Sequence, residues 1–350
     1  MVKRIIVCSD GTWNTPDQKD DGVIQPTNVV KMSRAILPQA SDGTRQVVFY
    51  DPGVGTGNFL DKITGGAFGK GLSRNVQDAY RFISQNYSEG DKIYLFGFSR
   101  GAFTARSTAG LIRNCGILKK EHIDRLDDAY ALYRNKNVHP DDAVSQQFRS
   151  NYSHEANAFF IGVWDTVGSL GVPVSALRWL TKKKYEFHDV TLSRSITYAY
   201  HALAIDEQRK PFKPTLWKIQ HSDKQTVEQV WFAGVHSNIG GGYKDCGLSD
   251  YTFLWMKDKA EAAGLELDND YIRQICQPNH HGVLRDSMTW YYRLLGKFRR
   301  KPGSDSLPSE FSHTSAVKRF EEKYQGYNPE GLAKFLDAHR DRVVTDDSGD

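Results

Sequence analysis

Short, almost unbroken apolar runs alternate along this chain with longer stretches in which apolar residues recur every three or four positions. The runs at 5–8, 46–50, 93–98, 158–164 and 227–232 predict strands. The periodic stretches at 28–37, 72–87, 100–113, 123–134, 141–152, 194–205, 249–263 and 329–339 predict helices. In 72–87 the apolar stripe is Val76, Ala79, Tyr80 and Ile83, and Pro26-Thr27 gives the first helix a start signal. Strands this apolar, separated by helices, imply a mostly parallel sheet with helices on both faces, an α/β fold. Neither a repeat nor a low-complexity linker interrupts the pattern, and the polar, acidic stretch 343–350 is expected to fray.

One junction carries chemistry. Lys92-Ile93-Tyr94-Leu95-Phe96 runs into Gly97-Phe98-Ser99-Arg100-Gly101, and a helical pattern follows from Ala102. This is G-x-S-x-G between a strand and a helix, the context in which that motif presents a nucleophile at the tip of a tight turn. A chance glycine turn is the plainer alternative. A serine hydroxyl needs a base to take its proton and an acid to orient that base. The strand at 158–164 ends in Asp165-Thr166-Val167-Gly168, and the one at 227–232 leads into His236-Ser237-Asn238-Ile239-Gly240-Gly241-Gly242-Tyr243. Ser99, Asp165 and His236 are therefore the candidate nucleophile, acid and base. Asp189, Asp206 and Asp223 rival the acid, which could also be a turn or helix-cap aspartate. His201 lies in a helical pattern, and His280-His281 and His313 follow no clear strand.

An oxyanion needs two donors. The Arg100 backbone N–H, next after the serine, is one; the loop Ser9-Asp10-Gly11-Thr12-Trp13-Asn14 is best placed for the other, through Gly11 or Thr12, with Asp10 pinning the loop. An aspartate followed by Gly-Thr after a first strand also suits a haloacid-dehalogenase-type phosphatase. That chemistry needs a nucleophilic aspartate where this chain has Cys8. The glycine-rich stretch 51–72 fails as a P-loop at Thr64 and Gly71. It reads as a surface loop or as a mobile loop over the site, with Phe59, Leu60 and Phe68 lining an acyl pocket. Residues 170–189 directly follow the candidate acid and carry Leu170, Trp179 and Lys182-Lys183-Lys184. They read either as a core-packed helix or as a lid that contacts substrate through Trp179 and fits peripheral contact with an anionic membrane.

Composition narrows the picture. The chain is 39% hydrophobic and 25% charged with a net charge of +4, a balance too even for a nucleic-acid partner. The basic runs Lys182-Lys183-Lys184 and Lys297-Phe298-Arg299-Arg300-Lys301 read as solvated faces, with contact to an anionic membrane surface or partner as the alternative for each. No stretch has the apolar length of a transmembrane helix, and the first apolar run is too short for a signal peptide. Cys8, Cys115, Cys246 and Cys276 share no metal-like spacing. A reduced, cytoplasmic protein is expected, with secretion by a route that reads no cleaved signal left open. No metal or other cofactor is expected, and the oligomeric state is not legible.

The blocks at Ser9–Asn14, Tyr50-Asp51-Pro52-Gly53-Val54-Gly55-Thr56, 97–102, 162–168 and 234–243 together resemble, in order, the catalytic domain of type VI secretion phospholipase effectors. The likeness spans about 3–260 and weakens to about 320, where Ser312-His313-Thr314-Ser315 resembles a late family motif. It implies an α/β-hydrolase fold, a Ser99–Asp165–His236 triad and a small ester or lipid, including phospholipid, as substrate. The basic, then Pro/Gly/Ser-rich stretch 299–309 is the best candidate break, so 1–298 is expected to be an α/β-hydrolase catalytic domain with insertions, and 299–350 a C-terminal helical extension and frayed tail. Where the family often has an aspartate two residues after the histidine, this chain has Asn238. The expected function is a serine hydrolase that cleaves a carboxylic ester through an acyl-enzyme. Acyl transfer to another alcohol would use the same residues, and a catalytically silent α/β-hydrolase scaffold acting as a binding or regulatory module is the alternative.

Overall fold

The computed structural model describes residues 2–11, 17, 19–53, 65–167, 191–219, 224–303 and 308–345; the side chains of 65–70 and of Tyr291 lie outside that description. Eight strands build one sheet: β1 (Arg4–Ser9), β2 (Gln46–Asp51), β3 (Lys92–Phe98), β4 (Phe160–Trp164), β5 (Tyr198–Ala204), β6 (Thr226–Phe232), β7 (Glu310–His313) and β8 (Val343–Val344). Their order is β8-β7-β6-β5-β4-β3-β1-β2, and every neighbouring pair is parallel.

Parallel strands need crossovers, and helices lie in those from β1 to β2, β2 to β3, β3 to β4, β6 to β7 and β7 to β8, whereas the described residues between β5 and β6 hold only the 3₁₀ turn Lys210–Phe212. The helices are α1 (Asn28–Ala35), α2 (Gly65–Asn86), α3 (Arg100–Cys115), α4 (Leu126–Arg134), α5 (Ala143–Tyr152), α6 (His236–Gly240), α7 (Gly247–Ala262), α8 (Asn269–Ile275), α9 (Trp290–Leu294), α10 (Thr314–Glu321) and α11 (Glu330–His339). The two-residue period of a strand sorts β1 onto two cores. Ile5 and Val7 pack with Val76 and Tyr80 of α2 and Ala105 of α3, while Ile6 and Cys8 pack with Val29 and Met32 of α1 and Phe253 and Met256 of α7. Thr27 caps α1, its side chain accepting from the Val30 N–H.

Three sequence expectations change. Residues 194–205 are not a helix: Tyr198–Ala204 is β5, paired on both sides by β4 and β6. The stretch 299–350 is not only helical, since β7 and β8 join the sheet. The expected fraying at 343–350 fails at its start, where Ser312 and His313 of β7 pair with Val343 and Val344.

Strand order reverses between β1 and β3, with β2 beyond β1 and β4 beyond β3. In an open parallel sheet such a reversal opens a crevice at the C-terminal ends of the strands. Ser9–Gly11 and Ser99 emerge there.

Candidate active site

Ser99 stands where β3 turns into α3, with φ 58° and ψ −116°. A non-glycine residue is strained there, and the surroundings enforce it. The Ser99 N–H donates to the Trp164 carbonyl at 3.0 Å, continuing the β3–β4 ladder. The flanking glycines are required by contact rather than flexibility. A Cβ at Gly97 would lie 2.4 Å from the Gly101 carbonyl oxygen, and one at Gly101 would lie 2.0 Å from the Ser9 carbonyl oxygen. The helix can press onto the loop after β1 only because no side chain intervenes.

Asp165 follows β4 in a second strained conformation, φ 40°, and its N–H donates to the Ala202 carbonyl at 2.7 Å. His236 opens α6 after β6. Its Nε2 lies 2.8 Å from Ser99 Oγ, and its Nδ1 lies 2.6 Å from Asp165 Oδ2. The structure therefore brings the three sequence-selected residues into one hydrogen-bonded line, and Asp165 and His236 are buried. Phe98 and Phe212 pack on the imidazole at centroid distances of 4.7 and 4.9 Å.

The electrostatics follow from burial and from a partner the sequence did not suggest. Arg300, read as part of a solvated basic run, is 4% exposed and closes on both Asp165 carboxylate oxygens, with Nη2 2.9 Å from Oδ2. It also donates to the carbonyls of Ala204 and Phe212. Burial alone would raise the Asp165 carboxyl; Arg300 and the hydrogen bond to His236 outweigh it and hold it well below the usual carboxylate range. Burial pushes His236 down, against the upward pull of Asp165, which favours the neutral ring. The motif's own Arg100 side chain is pushed down to about 9 by burial.

A second acid also supports the histidine. Glu207 accepts from the His236 backbone N–H at 3.2 Å, from the Ser287 hydroxyl at 3.0 Å, and from Arg209 through Nε at 2.9 Å and Nη2 at 2.8 Å. The Arg209 guanidinium lies 3.5 Å from the Phe212 ring centroid. Asn238 does a turn residue's work: its Oδ1 accepts from the Val235 N–H at 3.2 Å, and its amide donates to the Val283 carbonyl. His201, no longer in a helix, backs Asp165 from β5. Its Nε2 accepts from the Thr166 N–H at 3.1 Å, and burial, with Arg106, pushes it down to about 3.

Asp10 does pin the loop after β1, accepting from Thr27 Oγ at 2.6 Å and from the Tyr50 hydroxyl at 2.9 Å. It also takes the Gly11 N–H at 2.6 Å, so the N–H expected to serve an oxyanion is held here by its own neighbour. Asp51, the other acid placed after a strand near this loop, is pushed up to about 7 by burial, Asp78 and Asp10. Thr12, Phe59, Leu60 and Trp179, with the whole of 170–189, lie outside the described residues, as does the Phe68 side chain. Among the described residues no helix is long and apolar enough to cross a membrane.

A parallel α/β sheet with its serine elbow at the β1–β3 reversal, and a histidine and an aspartate on the loops beside it, defines an α/β-hydrolase-like fold. Residues 3–259 match the family described as "T6SS, Phospholipase effector Tle1-like, catalytic domain", and the chain belongs to that family. It is 28% identical over 234 residues to Uncharacterized protein YEL023C of Saccharomyces cerevisiae, covering 60% of this chain and 32% of that protein, so it spans about a third of the curated relative's length. Among solved structures it is similar to an uncharacterized protein from Pseudomonas aeruginosa, with 16% identity, a TM-score of 0.46, and coverage of 77% of this chain and 47% of the other. It is also similar to a Tle1 effector bound to the VgrG spike from the Type 6 secretion system, with 18% identity, a TM-score of 0.41, and coverage of 70% and 52%.

Proposed function

We propose that the chain is a serine hydrolase that cleaves a carboxylic ester of a lipid through an acyl-enzyme. The observation that carries the reading is the unbroken line Ser99 Oγ–His236 Nε2–His236 Nδ1–Asp165 Oδ2, at 2.8 and 2.6 Å, on a strained elbow. Neutral His236 accepts the Ser99 proton at Nε2 as the hydroxyl oxygen attacks the ester carbonyl. Asp165 holds Nδ1–H and steadies the imidazolium that forms. The imidazolium then protonates the departing alkoxide, and water repeats the sequence on the acyl-serine. The Arg100 N–H, at the start of α3, is the first oxyanion donor. Membership in a family described by a phospholipase effector supports a lipid substrate, which no residue described here selects by itself.

The test pairs a fluorophosphonate probe with p-nitrophenyl esters of increasing chain length and a phospholipid panel. Labelling of the wild type but not of Ser99→Ala, with turnover of at least one ester class, is expected. A protein that is folded, unlabelled and inert on every ester is instead a silent scaffold.

A further inference from the structure

Outside the Ser99–His236–Asp165 line, the chain assembles donors that sequence spacing does not reveal. His280 and His281 follow α8, and Glu322 closes α10. His280 Nε2 lies 3.1 and 3.3 Å from the two Glu322 carboxylate oxygens, and His281 Nε2 contacts the same carboxylate. One ligand atom from each of the three residues lies within 4.8 Å of the others. Among the described residues this is the single such group of His, Cys, Asp and Glu.

We propose that His280, His281 and Glu322 form a binding site for a zinc-type divalent transition ion. Two imidazoles and one carboxylate are borderline donors, which suit zinc and its first-row neighbours rather than calcium or magnesium, whose sites are built from oxygen. Tetrahedral zinc with ligands at about 2.0–2.1 Å sets its donors roughly 3.3 Å apart. The His280–Glu322 pair already has that separation, so small side-chain rotations complete the set, with water as the fourth ligand. Both Nε2 atoms now face the carboxylate; each ring binds the ion through its Nε2 lone pair as the neutral tautomer with its proton on Nδ1, and only a ring that starts as imidazolium releases a proton to solvent.

The loop is held before any ion arrives. Arg319 is 1% exposed, and its guanidinium donates to the carbonyls of His280 and Gly282. The His281 N–H donates to the Asn279 side chain at 2.9 Å, and its ring stacks on Tyr324 at 4.1 Å and 15°. The ligands also join separate parts of the fold. The loop carrying the histidines continues to Val283, which accepts from Asn238, and to Ser287, which donates to Glu207. A bound ion therefore ties α10 to the wall behind His236. It is a structural ion on this account and touches no reacting atom.

The experiment uses tag-free, chelator-stripped full chain with Zn²⁺ as ligand and Co²⁺ as a spectroscopic probe. One equivalent of Zn²⁺ is expected to bind with a Kd on the order of micromolar. At about a hundredfold excess over Kd it should raise Tm by about 3–5 °C. Co²⁺ should give the intense visible bands of a tetrahedral site. All three signals should disappear in His281→Ala and weaken in the conservative Glu322→Gln, with circular dichroism unchanged. No saturable Zn²⁺ binding below about 100 μM overturns the proposal, as does binding that survives in the His280→Ala/His281→Ala/Glu322→Gln triple variant. Neither result bears on Ser99, whose probe labelling is read separately.

Discussion

At the scale of single residues, the contact with the greatest electrostatic stake is Arg300 on Asp165. Both are fully shielded, so removing the cation leaves a buried charge without its partner, which costs about 3–5 kcal/mol. Arg300→Gln is expected to lose that much in urea unfolding and to lose activity with it; a loss below 1 kcal/mol refutes the clamp. At the elbow the consequence runs the other way. Ser99→Ala should lower kcat on the order of 10⁶-fold, whereas Ser99→Gly should be equally inactive yet more stable than the alanine variant by about 1–2 kcal/mol, because glycine accepts φ 58° without strain. Equal stability of the two would mean the turn stores nothing. For His236 the sign is set by its direction of shift. A base must be neutral, burial lowers the pKa, and so the acid limb of kcat/KM should fall below the ordinary value of 6.5. Ser99, Asp165 and His236 could be picked from sequence because each follows an apolar run, with glycines flanking Ser99 and following His236. Arg300 could not, because a basic run looks the same whether one member folds inward or none does. Glu207 and Arg209 carried no motif at all.

Helices were legible where the pattern had one apolar face, and strands where a short run was almost unbroken. α1 and α2 show apolar stripes, and β1, β2, β3, β4 and β6 are β-branched or aromatic runs. β5 was not, since Tyr198-Ala199-Tyr200-His201-Ala202-Leu203-Ala204 is alanine-rich and covered on both sides, so neither alternation nor propensity marks it. Its ladder to β4 and β6 is a long-range fact. β7 and β8 are too short to carry a period. The packing of α3 on the loop after β1 makes a test at this scale. Gly101→Ala sets a methyl group 2.0 Å from the Ser9 carbonyl and should cost about 2–4 kcal/mol. Gly110→Ala, on the same helix, meets only the edge of the Tyr133 ring at 3.0 Å and should cost far less. Similar losses from both would contradict the close approach.

For the molecule as a whole, acid stability has a named source. His201 is buried with its pKa near 3, so the unfolded chain binds a proton that the folded one refuses, and stability falls as pH drops below 6.5. Between pH 7 and 5 this amounts to about 2 kcal/mol. Asp206, raised to about 6 by burial, and Asp51, raised to about 7, work in the opposite sense, because the folded chain holds their protons more tightly. Comparing wild type with His201→Gln isolates the first effect: the gap in unfolding free energy should shift in the variant's favour by about that amount on acidification. A gap that stays constant across this range removes His201 from the account.

The Arg300 clamp also has a consequence in time. Ser99, Asp165 and His236 all leave the ribosome before Arg300 does, and at about 5–20 residues per second the interval is several seconds. During those seconds Asp165 has no guanidinium to offset its burial, so the acid cannot settle beside His236 in its final charge state. On the proposed mechanism, a nascent chain therefore carries Ser99 before His236 is held by its acid, and any reactivity toward a fluorophosphonate should switch on only after the segment bearing Arg300 has emerged and docked.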